Sequence, residues 1–142
     1  MKLSDVLPFF RSQLNALQYK EWTDSFNFEN IPSTILDRRY HLELNDALGV
    51  RNNQLDQECN APVTIRIFFK AFRDTSAARD LAIKKGQEII ETVLKPEVRV
   101  TDYADGIKNI VFDSMLIEDA IVSNDNITVL TLGFTALVFL QT

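Results

Sequence analysis

The chain has 142 residues, which fits a single domain spanning 1–142. Hydrophobic residues make up 46% and charged residues 25%, ordinary values for a globular protein that exclude disorder over most of the length. The net charge of −5, from 15 basic and 20 acidic residues, excludes a tight grip on nucleic acid and an anionic membrane surface as partner. Both need clustered Lys and Arg.

Residues 4–18 predict an amphipathic helix. Leu3, Val6, Leu7, Phe10, Leu14 and Leu17 recur at steps of three and four, and Ser4 and Asp5 suit the N-terminal cap and dipole. The first residues lack an uninterrupted apolar run, so no signal peptide is expected. Residues 19–38 are less regular, with Trp22, Phe26 and Phe28 among polar neighbours, and predict an extended connector. Residues 39–44 alternate and predict a half-buried strand, with Tyr40, Leu42 and Leu44 on one side. Residues 45–60, rich in Asn, Asp and Gln, predict a long loop.

Residues 62–72 predict a second strand. Its core face is Val63, Ile65, Ile67, Phe69 and Ala71, and its other face mixes Phe68 and Phe72 with Arg66 and Lys70, as if partly covered by something else. A second helix runs from Asp74 to about Leu94, with Ala78, Leu81, Ala82, Ile89, Ile90 and Val93 inward, and Pro96 stops it. Residues 97–106 predict a polar connector, and 107–122 with 127–141 a closing hairpin. The order α-β-β-α-β-β predicts an α+β fold: one mostly antiparallel sheet with two helices on one face.

Catalytic chemistry finds little support. His41 is the only histidine and Cys59 the only cysteine, too few for a zinc site of the usual kind. Cys59 falls in the predicted loop, without basic neighbours to activate it. A single thiol makes no internal disulfide, so a reducing compartment fits. Asp56 with Glu58, and Glu118 with Asp119, lack the ligand spacing of a calcium loop and read as solvated carboxylates. Four glycines cannot build a phosphate-cradling loop of the known kinds. The reading is a structural subunit, not an enzyme, with no cofactor and no metal. A small cytoplasmic ligand-binding or enzymatic α+β domain, with His41 and a carboxylate in a pocket, is the alternative from another class.

Several stretches together resemble a known family. They run from Ile31-Pro32-Ser33-Thr34 to Tyr40-His41-Leu42-Glu43, then Asn52-Asn53-Gln54-Leu55-Asp56-Gln57-Glu58, then Pro62-Val63-Thr64-Ile65-Arg66-Ile67-Phe68-Phe69-Lys70. The helix from Asp74 and the closing hairpin follow in order. This pattern resembles the tail terminator (tail completion) proteins of long-tailed bacteriophages. The resemblance implies a virion subunit, made in the host cytoplasm, that forms a ring, usually a hexamer, at the head-proximal end of the tail. Its partners would be copies of itself, the major tail tube protein and the head-to-tail connector, with DNA only passing through the bore. A head-closure or tube subunit is the nearer alternative. On this reading Arg38, Arg39, Asn52, Asn53, Gln54, Asp56, Gln57 and Glu58 are candidates for the subunit or partner interface. Asp102 and Asp105 are candidates for an acidic bore, where like charge keeps DNA sliding.

Overall fold

The structure is a computed structural model and describes residues 6–22, 33–45, 48–52, 56–70, 75–95, 107–122 and 125–141. The first helix, α1 (Val6–Ala16), buries Val6, Phe9, Phe10, Gln13 and Leu14. Those positions are the one stripe a period of 3.6 can bring together. Tyr19 N–H donates to the Leu14 carbonyl at 3.1 Å, and Gln18 N–H donates to that of Asn15 at 3.0 Å. This is a Schellman ending, and Gln18 occupies its left-handed position at φ 71°, where glycine is usual.

The connector expected over 19–38 holds more order than that. A short strand, β1 (Lys20–Glu21), pairs in parallel with the strand that starts at Arg39. A one-turn helix, α2 (Ser33–Leu36), is followed by a turn through Arg38, a second non-glycine residue in the left-handed region, at φ 60°. Phe26 and Phe28 lie outside the described residues.

The largest correction concerns residues 45–60. They contain a strand, β3 (Leu48–Asn52), and the first residues of β4 (Asp56–Lys70), which pair antiparallel from Leu48↔Asn60 to Asn52↔Gln57. The same stretch of β4 pairs on its other side with β6 (Asp125–Gln141), from Asp56↔Gln141 to Asn60↔Leu137. Asn, Asp and Gln are poor strand formers by themselves, but here two neighbouring strands satisfy the backbone. β2 (Arg39–Leu44) pairs with β4 on the same side as β3, from Tyr40↔Ile67 to Leu44↔Val63. Pro62 falls in the gap between those two partners, where a missing N–H interrupts neither ladder. Cys59 is therefore buried in a strand and is not a loop thiol.

Helix α3 (Thr75–Val93) turns Ala78, Ala82, Gly86, Ile89 and Val93 inward. Leu81, expected in that stripe, is exposed, because the small residues at 78, 82 and 86 bring their own face against the sheet. β5 (Ile107–Val122) and β6 close the sheet, in the order β1-β2-β4-β6-β5 with β3 beside β4. The architecture is α+β with one sheet. Its element order is α-β-α-β-β-β-α-β-β, longer than expected, and β1 makes the sheet mixed while every other pairing is antiparallel.

The core lies between one face of the sheet and the helices α1 and α3. Val63, Ile65, Ile67 and Phe69 of β4 and Leu130, Leu132, Phe134, Ala136 and Val138 of β6 supply that face. Phe134 sits at its centre, its ring 5.6 Å from Phe10 of α1 and 5.8 Å from Phe112 of β5. No helix of the described residues is long and apolar enough to cross a membrane.

Candidate interaction face

The sheet face away from α1 and α3 is built in rows, because antiparallel register aligns side chains across strands. One row runs from Arg39 at the start of β2 through Phe68 and Val129 to Glu118 of β5. The next runs His41, Arg66, Thr131, Leu116, and a third Glu43, Thr64, Gly133, Ser114. Pro62 and Thr135 lead on to Val111. The first three rows thus begin on polar or charged residues of β2, and all four end on β5, the last strand of the sheet.

One end of this face is covered by the chain itself. Leu36 of α2 packs with Phe68 and Ile127, and Trp22, Ala120 and Val129 close around them. The cover expected over Phe68 is therefore α2, anchored where Arg38 N–H donates to the Phe68 carbonyl at 2.7 Å and Lys70 N–H to Asp37 Oδ1 at 2.9 Å. Among the described residues, nothing beyond α2 covers the face.

The open part has poles of opposite charge. At the β1–β2 side stand Lys20 and Arg39, paired in register, with Glu43 further along β2, Arg38 turned towards the end of α1 and Ile35 of α2 exposed. At the other side β5 carries one lysine against Asp113, Glu118 and Asp119. Its Val111 and Leu116 are about half exposed, at 51% and 52%, and Ile121 near the hairpin end is 72% exposed. Two of the four charges on β5 have cross-links within the fold: Lys108 to Glu58, and Asp119 to Arg79 of α3 at 3.2 Å. Glu118 points to the opposite face from Asp119, as adjacent strand residues do, so the acidic doublet is split between two surfaces. Asp113 accepts the Thr135 hydroxyl.

The structure separates the residues singled out as interface candidates. Arg38 and Arg39 lie beside Phe68, whereas Glu58 lies on the same strand ten residues away, about 33 Å at the rise of a strand. Asn52 lies in β3 and Asp56 and Gln57 in β4. Asn53, Gln54, Asp102 and Asp105 lie outside the described residues. Sequence reasoning missed Leu116 and Val111 as surface features, whereas it read Glu118 as solvated. The available signal was the period of two in residues 107–122, which puts apolar residues on both sides of one strand.

The remaining polar side chains make structural pairs. Glu43 lies 3.5 Å from Arg66 and 3.7 Å from His41. Tyr40 donates its hydroxyl to Asn15 Oδ1 at 2.8 Å, tying β2 to α1, and burial followed by the nearby Glu21 carboxylate pushes its pKa up to about 12. Burial and then Glu88 do the same to Tyr19, also to about 12. A pocket of about 300 Å³ opens where α1 ends, lined by Leu17, Gln18, Arg38, Lys85 and Glu88 among others. Among the described residues, no three His, Cys, Asp or Glu side chains gather as a metal site would require. No protein-family model and no curated protein matches this chain.

Proposed function

We propose that this chain is a structural subunit of a phage tail, forming a ring that caps the tail tube, stops its growth and offers a surface to the head connector. The observation that supports this reading most is the half-covered sheet. Helices occupy one face, α2 covers one end of the other, and the remainder ends on a 16-residue border strand with exposed Val111 and Leu116. Border strands invite pairing with other chains; charges and register shifts blunt them, and β5 has both, yet it keeps these apolar side chains exposed. A subunit that lives in an assembly has a use for such a strand. The resemblance of the sequence stretches quoted above to tail terminator proteins points to the same role, and the net charge of −5 suits a bore through which DNA slides.

Electron microscopy of the purified protein, alone and with tail tubes, tests the proposal. Discrete rings that seat on tube ends and halt elongation are expected. Open-ended stacks would make the chain a tube subunit instead. Protein that stays monomeric and ignores tubes would overturn the assembly reading.

A further inference from the structure

We infer that two copies of this chain meet head to tail, the β5 border of one docking on the β1–β2 border of the next. The inference rests on the assembly reading above and names the contact that would build it. The occupant is assigned by complementarity in both shape of chemistry and charge. On β5, exposed Val111 and Leu116 are flanked by Asp113 and Glu118. On the opposite border, exposed Ile35 lies in the helix that leads into Arg38 and Arg39, and Lys20 pairs in register with Arg39. Each border is thus an apolar centre with charges beside it, acidic on one and basic on the other. Four strand spacings, roughly 19 Å, separate them.

Charge also decides the symmetry. A two-fold contact of β5 with β5 would bring Asp113 and Glu118 of one copy near the same pair of the other, and like charges in contact strongly disfavour a partner. The head-to-tail arrangement instead sets carboxylates against guanidinium groups. Such a contact uses two different patches of one subunit, so it repeats from copy to copy and closes into a ring or runs on as a filament.

The test is a pair of charge reversals. One variant carries Arg38→Glu and Arg39→Glu, the other Asp113→Lys and Glu118→Lys. Each alone sets like charges together in every contact. Mixed in equal amounts they offer opposite charges at every contact, in alternating order. Sedimentation velocity is measured for the wild type, for each variant and for the mixture, with circular dichroism to confirm the fold. The expected result is that each variant loses association by on the order of a hundredfold or more, and that mixing restores it. Wild-type rings that survive both reversals would overturn this contact while leaving the ring reading standing. Wild-type filaments that the reversals break and mixing restores would support the contact and overturn the capping role. A wild type that stays monomeric at every concentration would overturn both. Should a reversal unfold the chain, the neutral variants Arg39→Gln and Glu118→Gln, with the salt dependence of wild-type association, read the same contact. Association insensitive to both would overturn it.

Discussion

Gly86 of α3 lies so close to Leu130 of β6 that a Cβ built on it would stand 3.2 Å from Leu130 Cδ1, and 2.8 Å from the sulfur of Met115 on β5. This close approach seats α3 in the sheet and gives Ala78 and Ala82 their place on the buried side. Gly86→Ala gains about 1 kcal/mol of helix propensity but displaces Met115, so its stability should stay within about 1 kcal/mol of wild type. Gly86→Val should lose about 1–3 kcal/mol through overpacking. Urea unfolding of the two variants measures the difference. Equal stability for both would mean that α3 stands further from the sheet.

Phe134 is fully buried between Phe10 and Phe112. Phe134→Ala should cost about 3–5 kcal/mol, a large part of the roughly 5–15 kcal/mol that holds a typical domain. Cys59 shares that core. Cys59→Ser should therefore cost about 1–3 kcal/mol by burying a hydroxyl among apolar neighbours, whereas a loop thiol would tolerate the change. Denaturant midpoints for the pair, with Thr131→Ala as a half-buried control, check the assignment of faces. A neutral Cys59→Ser would return residue 59 to the surface.

Thr128 is buried, and its hydroxyl has no hydrogen-bond partner among the described residues. Leaving such a group unsatisfied costs about 1–3 kcal/mol. Thr128→Val keeps the shape and removes the hydroxyl, so a gain of about 1 kcal/mol in thermal or chemical unfolding is expected. A loss would show that the hydroxyl has a partner.

Gln18 and Arg38 both hold left-handed backbone without glycine's freedom. A side-chain-bearing residue there costs about 1–2 kcal/mol, partly offset by the extra unfolded-state entropy of glycine. Gln18→Gly should raise stability by about 0.5–1 kcal/mol, seen as a higher melting temperature. Arg38→Gly should do likewise while weakening association of copies, which separates the residue's backbone strain from its charge. A destabilised Gln18→Gly would mean that the Gln18 side chain contributes more than its strain.

Tyr19 and Tyr40 should govern alkaline unfolding. Both have pKa values of about 12 in the fold against an ordinary value of about 10. Above pH 10 the unfolded chain releases these protons and the folded chain keeps them, so the unfolded state gains. The stability they contribute is complete below about pH 10 and is lost as pH rises towards about 12. Melting temperatures across that window should fall, and less steeply in Tyr40→Phe, which lacks one of the two groups. Tyrosinate absorbance near pH 10 in the folded protein amounting to more than one of the chain's three tyrosines would contradict the shift.

Much of this fold was legible in residue order, because amphipathic periods report which face is buried without any knowledge of the partner. The stripe of α1, the alternation of β2 and β4 and the all-apolar row Leu130, Leu132, Phe134, Ala136 and Val138 each follow from a local period and lead to one sheet with α1 and α3 on one face. Only the tertiary structure decided what residues 45–60 do. Their Asn, Asp and Gln have no strand preference of their own, and β3 and β6 supply the backbone partners from distant parts of the chain. The same holds for Phe68, whose cover is α2, and for Leu81, which the small residues beside it leave outside. The charge poles are likewise a product of topology. Arg39 and Glu118 are far apart in sequence, and it is strand order and register, both set by long-range pairing, that place them at opposite ends of one row.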